Sequence, residues 1–308
     1  MATANGAAGT PGASDETRLG VILALAAYGM WGVLPAYFKL LDGVAPDVVV
    51  AHRILWSTVF VGGYLALQGR IPEIIGILKT PRLVGLLFAS AVLIAANWLI
   101  FVWAIGQAKV LDVSLGYFIN PLVSILLGLV ILREKLTPAQ ALAVGLASLA
   151  VLLKTVLFGG LPWVAIALAV SFALYGYIRK ITPVGAAAGL FIEIILLMPF
   201  ALAYVLLVTP ESLDPDYFAG TGQILALVGT GIITAVPLIL FSGAARRLSM
   251  VLIGLIQYIA PSLQFLQAVF LWGEPLQMAQ LGTFAMIWLA LALVSLDSLR
   301  RWRQSRAG

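Results

Sequence analysis

The chain has 308 residues, of which 62% are hydrophobic and only 10% charged. Soluble domains are roughly 45–50% apolar and about 25% charged, so the composition excludes an ordinary solvated globule and predicts a polytopic membrane protein. The chain has no cysteine and one histidine, which excludes disulfides, thiolate metal sites and histidine metal clusters. Its net charge of +5 comes from basic residues in short loops, which indicates membrane orientation rather than a nucleic-acid partner.

Ten apolar segments follow a small-residue tail, and each is long enough to cross a bilayer core about 30 Å thick. Backbone groups in lipid need partners within their own segment, and no alternating strand pattern is visible, so we predict an all-α integral membrane protein with ten transmembrane helices. The predicted spans are 19–40, 48–67, 83–105, 110–132, 138–158, 162–178, 184–208, 222–245, 250–272 and 278–296. Residues 1–17 are predicted to be a disordered cytoplasmic tail, and residues 299–308 a basic one.

The distribution of charge predicts the orientation of the chain. With the N-terminus in the cytoplasm, 14 of the 18 lysines and arginines lie in loops or tails on that side and three lie on the other side. Cytoplasmic loops carry such an excess of basic residues, so both termini are predicted to be cytoplasmic. The remaining basic residue, Arg53, lies inside a span.

The sequence also repeats weakly at an offset of 140 residues. Pro121 maps to Pro261, and Glu134 maps to Glu274. One period covers five spans, an odd number, so the halves enter the membrane from opposite sides. This predicts two inverted five-helix repeats, 18–158 and 159–298, with a binding site near the midplane where they meet.

Arg53 and Glu193 are the predicted polar centre. Each lies within an apolar span, where a charge costs at least ~2.5 kcal/mol and marks a functional site by default. As a substrate or coupling site, Arg53 would hold a carboxylate or another acceptor, and Glu193 a cation or a proton. The alternative is a structural ion pair between the halves. His52 is a candidate proton relay or a hydrogen-bonded packing residue.

Two proline-containing spans carry the next candidates. Tyr117, Asn120 and Pro121 lie on one helical face, and the repeat places Gln257 and Pro261 at equivalent positions. Each proline removes a backbone donor, which frees a carbonyl that could line a cavity or form a gating hinge. The alternative is a passive kink with hydrogen bonds between helices.

Aromatic residues with a few polar neighbours indicate a wall for a small organic ligand. The candidates are Tyr28 and Trp31 in the first span, Asn97 and Phe101 in the third, and Tyr175 in the sixth. Aromatic residues near the ends of spans are alternatively interfacial anchors.

Several longer segments carry a family resemblance. They are LALAAYGMWGVLPAYFKLL (23–41), AHRILWS (51–57), AVLIAANWLIFVWAI (91–105), SLGYFINPLVSILLG (114–128) and QYIAP (257–261). Over residues 20–302 the sequence resembles the drug/metabolite transporter superfamily with its EamA domains, and within it the RarD-type permeases. The resemblance implies ten transmembrane helices in two inverted repeats, cytoplasmic termini and a bacterial inner-membrane location.

These observations together predict a secondary transporter. We expect a small amphipathic or zwitterionic solute to move by alternating access, with the bilayer and a proton or counter-solute as partners; a homodimer is left open. No nucleotide-binding GxxxxGK[ST] loop is present, and no cofactor is expected. The chain carries neither HExxH nor GxSxG, so we do not expect an enzyme. A channel or non-transporting receptor is the alternative, and an intramembrane enzyme a remote one.

Overall fold

A computed structural model describes residues 13–107, 109–157, 162–273 and 278–307, and every regular element in these ranges is helical. The α-helices are α1 Ala13–Phe38, α2 Pro46–Leu67, α3 Ile71–Leu78, α4 Pro81–Gly106, α5 Val110–Val130, α6 Pro138–Leu157, α7 Trp163–Ile181, α8 Ala186–Leu207, α9 Thr221–Ala245, α10 Met250–Gln257, α11 Ile259–Phe270 and α12 Met278–Ala307. Short 3-10 turns span Lys39–Leu41, Pro210–Leu213 and Pro215–Tyr217.

Within the described ranges, nine helical segments are long and apolar enough to cross a membrane, and a shorter apolar segment, Leu281–Asp297, lies within α12. The predicted all-α membrane fold is confirmed. The tail prediction is wrong in part, because α1 begins at Ala13 and makes residues 13–17 helical. Helix α12 extends into the basic tail as far as Ala307. Residues 1–12, Phe158 and Glu274 lie outside the described residues.

Helix boundaries recur at the spacing seen in the sequence. The starts of α2 and α8, α4 and α9, α5 and α10, and α6 and α12 are each 140 residues apart. The ends of α2 and α8, and of α5 and α11, show the same spacing. Helices α2, α4, α5 and α6 of the first half thus have positional counterparts in the second half, as the predicted repeat requires.

The bundle has two chemically distinct ends. The acidic end carries Asp42, Asp47, Glu211, Asp214 and Asp216, and the Tyr204 hydroxyl there donates to the carboxylate of Asp47. This hydrogen bond joins the end of α8 to the start of α2.

The opposite, basic end carries the loops with Arg70, Lys79, Arg133, Arg246 and Arg247. There Arg247 Nε lies 2.7 Å from a carboxylate oxygen of Glu16, which joins the end of α9 to the start of α1. Helices α2 and α9 run from the acidic end to the basic end, whereas α4 and α8 run from the basic end to the acidic end.

Glycines allow the helices to approach closely. A Cβ on Gly116 would lie 3.2 Å from the backbone of Ala165, so α5 and α7 are in backbone contact. A Cβ on Gly254 would lie 2.6 Å from the carbonyl oxygen of Pro121, so α10 presses on α5 beside the proline. Small residues at helix contacts are typical of membrane bundles, where packing replaces the hydrophobic effect.

Candidate functional site

Arg53 reaches the middle of the bundle. It lies seven residues after α2 begins, so its backbone is about 10 Å from the acidic end. Its Nε donates a 2.8 Å hydrogen bond to Oγ1 of Thr234, halfway along α9. The guanidinium carbon lies 4.8 Å from the ring centre of Trp98 and 5.8 Å from that of Phe38. Aromatic faces and a hydroxyl therefore stabilise this cation, and no ion pair joins it to an acid among the described residues.

An opening inside the bundle surrounds Arg53. Arg53 is half-buried, and Tyr117 keeps 37% of its surface exposed. Both side chains therefore keep surface that a solute could contact. The ring of Phe101 lies 6.4 Å from that of Tyr117 and extends the wall. We call this space the Arg53 opening, lined by Phe38, Arg53, Trp98, Phe101 and Tyr117.

Glu193 belongs to a second polar centre. One of its carboxylate oxygens lies 3.5 Å from Nη1 of Arg179, and both side chains are essentially inaccessible. Ser90 donates a 2.5 Å hydrogen bond to the same oxygen, and Tyr175 donates to the other at 3.4 Å. Arg179 in turn donates from Nε to Ser242 Oγ at 3.1 Å. Residues from α4, α7, α8 and α9 thus meet around one buried ion pair.

The structure does not bring Arg53 and Glu193 together, which corrects the prediction of one shared polar centre. The reason is topological: α2 begins at the acidic end, whereas α8 begins at the basic end, so equivalent positions lie at opposite depths. Arg179 lies two residues before the end of α7, and its side chain reaches back into the bundle to Glu193. The ion pair therefore lies between the Arg53 opening and the basic end.

His52 has a packing role in this conformation. It is 7% exposed, and its Nε2 lies 3.3 Å from Oγ of Ser212, which itself donates to the carbonyl of Thr209. Because the Ser212 proton is used in that bond, Nε2 of His52 is the donor. The histidine thus fastens the 3-10 turn that follows α8 to the start of α2.

The two proline positions behave differently. Helix α5 continues through Pro121, whereas the equivalent stretch ends at Gln257 and restarts at Ile259. Pro261 then lies in the first turn of α11. Backbone N–H groups in a first turn have no acceptor within the helix, so the missing N–H of proline costs no helical hydrogen bond there. Gln257 is buried and accepts a 3.4 Å hydrogen bond from Tyr28.

Asn120 is 4% exposed, and its Oδ1 has no hydrogen-bond partner among the described residues. A buried, unmade acceptor is costly. It lies one helical turn beyond Tyr117 and is the candidate whose chemistry calls most clearly for a ligand donor.

Most of the predicted aromatic wall is packed rather than open. Tyr28 and Tyr175 are at most 1% exposed, and Tyr175 stacks on Phe241 with ring centres 6.0 Å apart. Trp31 is partly accessible, and its ring centre lies 5.4 Å from that of Tyr28.

The side-chain amide of Asn97 donates its hydrogens to residues of α7. Nδ2 donates to the carbonyl of Leu168 at 3.0 Å and to Oγ of Ser171 at 2.9 Å. In this conformation Asn97 therefore ties α4 to α7.

Sequence reasoning missed two residues. Arg179 follows the predicted span 162–178, so the sequence places it in a loop. Glu134 accepts from the backbone N–H of Met250 at 2.8 Å and of Val251 at 3.0 Å, so it caps the start of α10. In the sequence, the start of this helix is indicated by Ser249, a favoured N-cap residue directly before Met250.

Comparison with known proteins agrees with this architecture. Residues 18–156 match the EamA-like transporter family. An uncharacterized transporter of Vibrio cholerae is 43% identical over 300 residues, covering 96% of this chain and 98% of that protein. Protein RarD of Salmonella typhi is 43% identical over 291 residues, covering 94% and 99%.

A solved crystal structure of a protein aligns with 90% of this chain and 97% of its own, with a TM-score of 0.69. Its sequence identity is 19%, so the likeness is one of fold alone. The full-length relatives are close enough to establish the family. The chain is a multi-pass membrane protein that belongs to the EamA-like transporter family of the drug/metabolite transporter superfamily, where it is of the RarD type.

Proposed function

We propose that this membrane transporter is a secondary carrier of a small amphipathic solute whose acceptor group, such as a carboxylate, binds Arg53. The observation that carries the proposal is a half-buried cation without an ion-pair partner among the described residues, in an opening walled by aromatic rings. A cation at this depth is expensive unless a ligand or water compensates it. Aromatic walls with one charged group suit a small organic anion or zwitterion.

The proposed mechanism is alternating access between two inverted five-helix repeats, 18–158 and 159–298. The matching helix boundaries support it, as does the ion pair that occludes one side of the opening. The buried Arg179–Glu193 pair lies between Arg53 and the basic end, and this arrangement favours a carrier closed at that end over an open channel. The proposed location is the bacterial inner membrane with both termini cytoplasmic, and no catalytic role is proposed.

Thermal unfolding of the purified protein tests the site. We would screen amino acids, aromatic carboxylates, nucleosides, phenicols and quaternary amines against wild type, Arg53→Ala and the surface control Arg82→Ala. A ligand that binds only the folded state raises the melting temperature by mass action. We expect a carboxylate-bearing hit that Arg82→Ala keeps and Arg53→Ala loses. A hit retained by Arg53→Ala would place the site elsewhere.

Proton coupling at Glu193 or His52 is a separate proposal. If either side chain carries the proton, Glu193→Gln or His52→Gln should abolish the pH dependence of solute uptake into proteoliposomes. An unchanged pH profile in both variants would exclude that role.

A further inference from the structure

The seal at the basic end is a cation and an anion in contact. Arg179 and Glu193 are 0% and 1% exposed, and the hydroxyls of Ser90 and Tyr175 also donate to the carboxylate. A Cβ on Gly189 would lie only 2.1 Å from Nη1 of Arg179, so the guanidinium packs directly against α8 at this glycine. Opposite charges therefore close this end without any solute.

The equivalent positions at the acidic end carry a different pair. At the 140-residue spacing, Arg179 corresponds to Lys39 and Glu193 corresponds to Arg53. The spacing holds in detail, because the Ser90 hydroxyl lies 3.0 Å from the carbonyl oxygen of Leu87, and the hydroxyl of its counterpart Thr230 lies 2.5 Å from that of Leu227. The acidic end thus places two cations where the basic end has a cation and an anion.

The observed conformation keeps those two cations apart. Lys39 is exposed, and its Nζ lies 4.4 Å from the ring centre of Trp272. Arg53 points inward to Thr234. Phe38, the neighbour of Lys39, already lies beside the guanidinium, so closure of this end brings the lysine toward Arg53.

We propose, resting on the proposed function, that the anionic group of the solute completes the acidic-end seal by binding between Lys39 and Arg53. The empty protein does not close this end, because two like charges in a medium of low dielectric repel one another. The loaded protein does close it, since the anion takes the place that the Glu193 carboxylate holds at the basic end. The carrier therefore exchanges one anion for another and does not return empty.

The native absence of cysteine allows a direct test. Ala188 is fully buried beside Gly189, so a single cysteine there (A188C) reacts with a maleimide only when the basic end opens, which requires the acidic end to close. In this background we would compare Arg53→Glu with the neutral control Arg53→Gln, each without solute. Glu193→Gln serves as the positive control for the reporter, and size-exclusion profiles confirm folding.

We expect Arg53→Glu to raise the labelling rate at least fivefold without solute, because it restores an opposite charge to Lys39. Arg53→Gln removes the repulsion without supplying an opposite charge, so its labelling rate should lie between those of the unsubstituted background and Arg53→Glu. Equal rates in the two Arg53 variants would overturn the proposal. An unsubstituted background that labels as fast as Arg53→Glu without solute would also overturn it, since an acid such as Asp112, in the first turn of α5, would then complete the seal.

Transport gives the second arm, with phenylacetate as probe and its uncharged analogue phenylacetamide as control. Efflux of labelled phenylacetate from proteoliposomes should be at least tenfold faster into phenylacetate than into buffer or phenylacetamide. Efflux into buffer at the exchange rate would overturn obligate exchange while leaving the proposed carrier intact. Absence of both fluxes would overturn the proposed phenylacetate-type solute, whereas the labelling comparison would still decide the seal.

Discussion

At the scale of single residues, stability depends on a charge pair that water does not reach. We expect Glu193→Gln to lower the free energy of unfolding by about 3–5 kcal/mol, because it leaves Arg179 as an uncompensated buried charge. Thermal unfolding in detergent measures the loss. The double variant with Arg179→Gln should lose less than the sum of the single variants, because the two residues are in direct contact. A Glu193→Gln protein as stable as wild type would contradict this prediction.

Gly189 should be sensitive for the same reason. In Gly189→Ala the new methyl group would lie 2.1 Å from Nη1 and 2.6 Å from Nη2 of Arg179. The arginine is held by Glu193 and Ser242 and has nowhere to move, so we expect a loss of about 1–3 kcal/mol, typical of overpacking. Gly63→Ala is the matched control, since open space surrounds that position. Equal melting temperatures for the two variants would show that the pair tolerates displacement.

Arg179 also shows where prediction from sequence reached its limit. Arg53 and Glu193 could be recognised as site candidates because each charge interrupts an apolar run. Their partners could not, since a long side chain at a helix end can point to water or fold back by several ångströms. Arg179 takes the second course, and Gly189 makes room for it. Which of two apolar helix faces meets a neighbour is likewise decided by packing that one sequence does not display.

At the scale of elements, the boundaries followed the sequence closely because lipid leaves a segment few alternatives to a helix. The interruption at Tyr258 could not be predicted from the sequence. Pro121 and Pro261 occupy equivalent positions, yet α5 is continuous, whereas the matching second-half helix is divided into α10 and α11. Gly254 packs against the Pro121 carbonyl, so α5 and the short α10 support each other across that contact.

Helix α10 has only eight residues and depends on its cap. Glu134→Gln removes the negative charge and one of the two acceptors that receive the Met250 and Val251 N–H groups. We expect a loss of about 1–2 kcal/mol from the cap and the helix dipole together. Hydrogen exchange should accelerate across α10 and stay unchanged in α6. Unaltered exchange in α10 would show that Ser249 suffices as the cap.

At the scale of the whole molecule, the two ends differ in charge, and this predicts the orientation in the cell. Single cysteines introduced at Thr80 in the basic end and Asp216 in the acidic end report on it, because both sites are exposed. In whole cells a membrane-impermeant maleimide should label Asp216→Cys at once and Thr80→Cys only after permeabilisation. The reverse order would place the basic end outside and overturn the proposed orientation.

The Arg179–Glu193 pair has a consequence for biogenesis. Its two charges lie on consecutive helices, α7 and α8, which are joined by only four residues, 182–185. Each charge entering lipid on its own helix costs roughly 2.5–3.5 kcal/mol on insertion scales. If the two helices enter together, the charges meet during insertion and cancel. The chain therefore favours delivery of α7 and α8 to the bilayer as one hairpin, and the contact that later occludes the carrier first eases its entry into the membrane.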